Sequence, residues 1–243
     1  MGGIKKTQGF GSLAAAFEKA GLATGARADR VDAEGQRADA AVSRDLPGAE
    51  GGYRGEIDRV NAWFSELRSP APGREEGVPA VAVRIEGAPA TPEQLRQVEH
   101  ALGFALPPSF ASFLLEVGAV SLLNPWGDAT TPVGQLVAAS ASLEADVALT
   151  AARFVHAAEE SGIRLDPTAP RLLLHVCEEQ GGEAVFALCA SRDDRGDSPV
   201  FMRFHDEPDA LYHPSSDFRQ WFRERLERLR AELQEDARRR GAR

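Results

Sequence analysis

No apolar run in this chain approaches the roughly 20 residues that a membrane-crossing helix requires. The opening stretch, "MGGIKKTQGFGSLAAAF", carries two lysines but lacks the sustained apolar core of a signal peptide, so neither a membrane span nor secretion is expected. Lysine itself is scarce: Lys5, Lys6 and Lys19 are the only ones, and arginine supplies every other cationic side chain. Basic residues number 28 against 37 acids, a formal charge of −9. Broad binding to nucleic acid is excluded on that balance, because cationic side chains must replace the phosphate counterions. Attraction to a basic protein partner is permitted.

Cysteine is scarce as well. Cys177 and Cys189 lie in two apolar segments separated by "EEQGGE". In a hairpin centred near Gly181, Cys177 pairs close to Val185, four residues short of Cys189. Four strand residues span about 13 Å, too far for a disulfide. Both are expected to be reduced core thiols, which fits a cytoplasmic location.

What is present divides unevenly. Residues 1–54 hold one amphipathic segment, "GSLAAAFEKAGL", able to dock as a peripheral helix at 12–21, and then a charged tract with few large apolar residues. Such a composition buries too little surface to offset ordering entropy, so a flexible or weakly helical extension is expected. Residues 55–236 read as one folded domain and 237–243 as a basic tail. Ile57, Val60, Phe64 and Leu67 recur with helical spacing, and Val81, Val83 and Ile85 alternate as in a strand.

The most legible stretch is "TPEQLRQVEHALGFALPPSFASFLLEVG" at 91–118. Thr91 is an N-cap, Pro92 takes the first helical position and Gln94 completes a capping box. Leu95, Val98 and Leu102 form the inner stripe, and Gly103 ends the helix. Pro107 and Pro108 open a second helix with Phe110, Phe113, Leu114 and Val117 inward and Gly118 after it. Residues 143–160 read as a further helix. "RLLLHVCEE", "EAVFALCAS" and "SPVFMRFHD" read as an antiparallel meander. Ser216 is the expected cap of a last helix carrying Phe218, Phe222, Leu226, Leu229 and Leu233, with Trp221 in its core. Helices, then an antiparallel sheet, then a closing helix make an α+β domain: N-terminal helices packed on the sheet, closed by the C-terminal helix.

Glu99, Leu102, Gly103, Leu106, Pro107, Phe110, Phe113 and Leu114 resemble the signature of the SMI1/KNR4 superfamily, also called SUKH. Gly181, Gly182 and Glu183 resemble its strand–Gly-Gly–acid–strand unit. Val200, Asp206, Ser216, Phe218 and Trp221 resemble its last strand and closing helix. The likeness covers about residues 91–230. Two stretches depart from it: "GAVSLLNPWGD" stands where the family has an Asn-Gly-Gly-like turn, and 140–170 is a long connection. The resemblance implies a binding protein without catalytic residues or cofactor. In bacteria such proteins are commonly immunity proteins that neutralise toxins, often nucleases or deaminases; fungal relatives are regulatory scaffolds.

Chemical motifs fail on context. "GFGSLA" at 9–14 matches a dinucleotide fingerprint as a string, but no strand precedes it and no βαβ unit follows. His175, Cys177 and Cys189, with or without His205, lack metal-ligand spacing. No G-x-S-x-G elbow or nucleophile–base pairing is present. "RGD" at 195–197 lies in a charged turn, where three letters carry little information.

The acidic groups are better taken together. Glu178, Glu179 and Glu183 flank the Gly-Gly turn, Asp193, Asp194 and Asp197 sit in the next loop, and Asp206, Glu207 and Asp209 follow the last strand. Alternate turns of a meander lie at one end, so the first and third groups are expected to share it. A face of that charge steers a basic partner. Trp126, in the turn-like "NPWGD", is either an interface anchor or a ring folded over the domain edge. The candidate partner-binding residues are therefore Trp126, Glu178, Glu179, Glu183, Asp206, Glu207 and Asp209.

Overall fold

The computed structural model describes residues 52–67, 81–124, 127–149, 151–160, 162–163, 172–179, 183–204, 207 and 210–241. Six helices and seven strands follow in order: α1 (Tyr53–Leu67), β1 (Val83–Glu86), α2 (Pro92–Leu102), α3 (Pro108–Glu116), β2 (Ala119–Leu122) and β3 (Ala129–Thr130). After a short 3-10 turn come α4 (Leu136–Leu149), α5 (Ala151–Glu160), β4 (Leu173–Glu179), β5 (Glu183–Leu188), β6 (Val200–Arg203), β7 (Tyr212–Ser215) and α6 (Phe218–Gly241). The strands form one sheet in sequence order, every neighbouring pair antiparallel. The α+β class holds. The expected three-strand meander is β4–β6, extended on one side by β1–β3 and on the other by β7. The segments 12–21 and 181–182 fall outside the described residues.

The helix signals at 91–118 act as the sequence implies. The Thr91 hydroxyl accepts from the Gln94 amide at 3.2 Å, and the Gln94 side chain accepts the Thr91 amide at 2.8 Å. Gly103 ends α2 in the left-handed region at φ 75°. Glu99 then reaches forward to accept the Leu106 amide at 2.8 Å, tying α2 to the Leu-Pro corner. Gly118 has no substitute: its φ is +91°, and a Cβ there would lie 2.6 Å from the Ala88 carbonyl oxygen.

Other helix ends are closed from afar. Pro107, at the N-cap of α3, has no side chain to cap with, and Asp197 supplies one from 88 residues away. Its Oδ1 accepts both the Ser109 amide at 2.9 Å and the Ser109 hydroxyl at 2.7 Å. Glu116, at the other end of α3, accepts the first amides of α1, Tyr53 at 3.1 Å and Arg54 at 2.9 Å. The last helix is capped by Asp217, whose Oδ1 accepts the Gln220 amide at 2.8 Å, and not by the expected Ser216. Ser216, one residue ahead of the cap, instead donates its amide and hydroxyl to the Gln220 side chain.

The main core lies between one sheet face and α1, α2, α3 and α6. Tyr53, Phe110, Phe113, Phe218 and Phe222 interlock there with ring centroids 4.8–6.3 Å apart, and Trp221 joins the cluster. A second cluster on the opposite face gathers Leu143, Val147, Phe154, Leu173, Phe186, Leu188 and Phe201. The single helix expected at 143–160 is two: α4 begins earlier, at Leu136, and α5 starts at Ala151. The early start has a cause in the sheet. β3 is two residues long and leaves the first half of β4 unpaired on that side. α4 fills the gap, with Ser140 accepting the His175 amide at 3.0 Å and Glu144 accepting the Leu173 amide at 2.9 Å.

Each edge strand carries one obstacle to further pairing. On β1, Asn61 of α1 donates to the Val83 carbonyl and accepts the Val83 amide, each at 2.9 Å, standing in for a further strand. On β7, Pro214 has no amide to offer.

Candidate partner-binding site

In this all-antiparallel order, β2 and β3, β4 and β5, and β6 and β7 are joined at the same end of the sheet. Leu122, Glu179 and Arg203 close the first strand of each pair there, and Ala129, Glu183 and Tyr212 begin the second. The described candidates Glu178, Glu179, Glu183 and Glu207 therefore belong to one end of the sheet. Trp126, Asp206 and Asp209 lie outside the described residues.

The described candidates differ in environment. Glu178 is exposed, on the sheet face opposite the main core, beside Ala129 and Ala184. Glu183 is half-buried, opposite Glu179 across the hairpin. Glu207 is exposed and accepts a hydrogen bond from the Tyr212 hydroxyl. Glu179 is 7% exposed and faces Arg225 of α6, its Oε1 3.7 Å from Nε.

Arg225 is the centre of a buried ion cluster that the sequence reading did not include. It is 3% exposed, and its Nε and Nη2 donate to Asp128 Oδ2 at 2.9 and 2.6 Å. Glu232, one helical stretch further on, lies 3.6 Å from Nη2. Asp128 closes the "NPWGD" loop, whose start is held by Asn124: its Oδ1 accepts the Gly127 amide at 2.8 Å and the Asp128 amide at 3.2 Å. One guanidinium thus binds the roots of two candidate loops. Burial, reinforced by the charge of Asp128, raises the Glu179 carboxyl to about 6, with Arg225 and Arg228 pulling the other way. The available signal was spacing. Position 225 is three after Phe222 and four before Leu229, on the inner stripe of α6, where an arginine requires a buried counter-ion.

The second acidic group is absorbed by structure. Asp193 accepts the amides of Arg195 at 2.9 Å and Asp197 at 2.8 Å, folding its own loop, and Arg195 bridges Asp193 and Asp217 at 3.0 and 3.3 Å. Asp197 of "RGD" is the α3 cap. This group sits at the far end of the sheet from Glu178.

The histidine and cysteines have structural surroundings. Cys177 pairs with Val185, as the hairpin reading requires, and both thiols are free and buried. Burial pushes the Cys189 thiol up to about 11 and that of Cys177 well above its ordinary range. His175 Nδ1 lies 2.7 Å from the Thr131 hydroxyl, and burial holds its pKa below the ordinary value. No group of three or more His, Cys, Asp or Glu side chains among the described residues is arranged to hold a metal ion. No helix among them is long and apolar enough to cross a membrane.

No curated protein matches the chain at a significant level. The model of the SMI1 / KNR4 family (SUKH-1) matches residues 89–224, more than half of the chain, from the residues just ahead of α2 through the β-meander to the first turns of α6. The chain belongs to the SMI1/KNR4 (SUKH-1) family.

Proposed function

We propose that this protein is a non-catalytic, cytoplasmic binding domain that neutralises a bacterial toxin of nuclease or deaminase type by occupying its active surface. The observation that carries the reading is the convergence of three loop roots at one end of the sheet. Asn61 occupies Val83 on one edge and Pro214 removes an amide from the other, which disfavours recognition by strand addition and favours the loop end. Exposed Glu178 and Glu207 there, with Glu183 at its margin and Asp206 and Asp209 nearby in sequence, suit a basic partner. Trp126 in the same set supplies the kind of aromatic that anchors an interface. Family membership supports the same role without supplying the partner.

The test is capture of partners from the native cytosol by the tagged full chain, by a chain lacking residues 1–51, and by an E178K/E207K variant. The deletion stops at 51 because Tyr53 is core and its amide is capped by Glu116. A single toxin domain recovered one-to-one by the first two, and lost with the charge reversal, supports immunity. Housekeeping partners that disappear with residues 1–51 overturn it in favour of a regulatory scaffold whose extension is the working part.

A further inference from the structure

We infer that the Asp128–Arg225–Glu179 cluster is a proton-sensitive latch on the loop end, in which two carboxylates from different loop roots compete for one edge of a single buried guanidinium. The inference concerns the fold itself and stands whatever the partner proves to be.

The geometry sets up the competition. A guanidinium edge made of Nε and Nη2 can serve one carboxylate with two parallel hydrogen bonds. Here a single oxygen, Asp128 Oδ2, accepts from both nitrogens, so the two bonds converge and the edge is occupied. Glu179 is left 3.7 Å from the same Nε, beyond hydrogen-bonding range. Nη1 of Arg225 and Oδ1 of Asp128 have no hydrogen-bond partner among the described residues, so neither group's capacity is exhausted. Glu232 adds a third carboxylate on the Nη2 side. Around Glu179 the other charged groups are Arg228 from α6 and Glu183 from β5, with the neutral Cys177 thiol on its own strand. Arg225 and Arg228 together face Asp128, Glu179, Glu183 and Glu232, an excess of negative charge around a buried Arg225–Asp128–Glu179 centre.

Such a cluster has two arrangements. With Glu179 protonated, the Asp128–Arg225 pair is balanced and the two loop roots pack without repulsion. With Glu179 ionised, two carboxylates confront each other across one guanidinium, and the root of the β4–β5 turn is pushed from that of the β2–β3 loop. Burial and the neighbouring Asp128 raise this change from the ordinary carboxylate range to about pH 6. The roots concerned carry Asn124–Asp128 and Glu178–Glu179, so the spacing of the candidate binding loops follows the proton.

A pH titration of the full chain by NMR reads this directly, following the carboxyl carbon of Glu179, the amides of Gly127 and Asp128, and Arg225 Nε–H. The expected result is a common midpoint near 6 in all four. E179Q, which preserves shape, should erase that midpoint from the amides of Gly127 and Asp128 and from Arg225 Nε–H. D128N should move the Glu179 midpoint down toward 4.5, because the opposing charge is gone. Amides that keep their midpoint in E179Q would assign it to another group, such as His175 on the same strand, and overturn the latch. A Glu179 midpoint unmoved by D128N would overturn it too, since the two carboxylates would then not be competing.

Discussion

Glu179 and Asp197 are both buried carboxylates, and each shows how burial alone fails to define a role. Asp197 accepts two hydrogen bonds from Ser109 and completes a helix. Glu179 stands beside a guanidinium already engaged elsewhere, and its ionised form is disfavoured. The sign of its contribution follows. The folded chain retains this proton up to about pH 6, the unfolded chain only to about 4.5. Between those values the native state binds more protons, so stability falls as pH rises through the window and is level above it. The difference is worth about 2 kcal/mol. Glu179→Gln should therefore stabilise the protein at pH 7 by up to that amount, while leaving stability at pH 4 nearly unchanged. Urea denaturation at the two pH values checks it, and an equal shift at both would assign the effect to packing. His175 acts in the opposite direction, losing stability as the pH falls below its unfolded value, so the comparison with the glutamine variant is needed to separate them. None of this was legible beforehand, because "CEEQ" presents two glutamates that look alike. Strand alternation and the bulge at His175/Cys177 send one to solvent and one to Arg225.

Among the elements, those whose signals are local were legible. The Thr91–Gln94 box, Gly103, the prolines at α3 and the apolar stripes all lie within one turn of the helix they define. Elements whose definition is supplied by another part of the chain were not. β2, β3 and β7 are two to four residues long and have no alternation to read; pairing alone makes them strands. α4 has almost no amphipathic pattern in "LVAASASLEADVAL" because it serves both clusters and the edge of β4. Asp197 belongs to the same class: a dull residue in a charged turn that is the cap of a helix 88 positions earlier. Asp197→Ala should cost about 1–2 kcal/mol, the usual value of a lost N-cap. Asp194→Ala, exposed in the same loop, should cost almost nothing. Urea midpoints for the pair decide the point, and equal values would remove the cap from the account of α3.

For the whole molecule, class and order were readable because segregated helical and strand patterns leave few layer arrangements. The end of the sheet that carries the candidate loops was readable from meander topology. Its internal organisation was not, since an arginine on a buried stripe and an aspartate after a Trp-Gly pair signal nothing until they meet.

The remote caps and the aromatic cluster impose an order in time. Tyr53 opens the first described helix, yet its ring packs on Phe218 and Phe222, and its amide waits for Glu116. α3 in turn waits for Asp197. A chain leaving the ribosome therefore cannot complete its first helices until nearly all of the sheet and the start of α6 have emerged. A nascent fragment ending at residue 163 should show little protected helix by hydrogen exchange, whereas one ending at 241 should be protected throughout its core. Protection of α1 and α3 in the short fragment would mean that local signals suffice. Until release, the aromatic surface of these helices is uncovered, and a chaperone has its longest opportunity there.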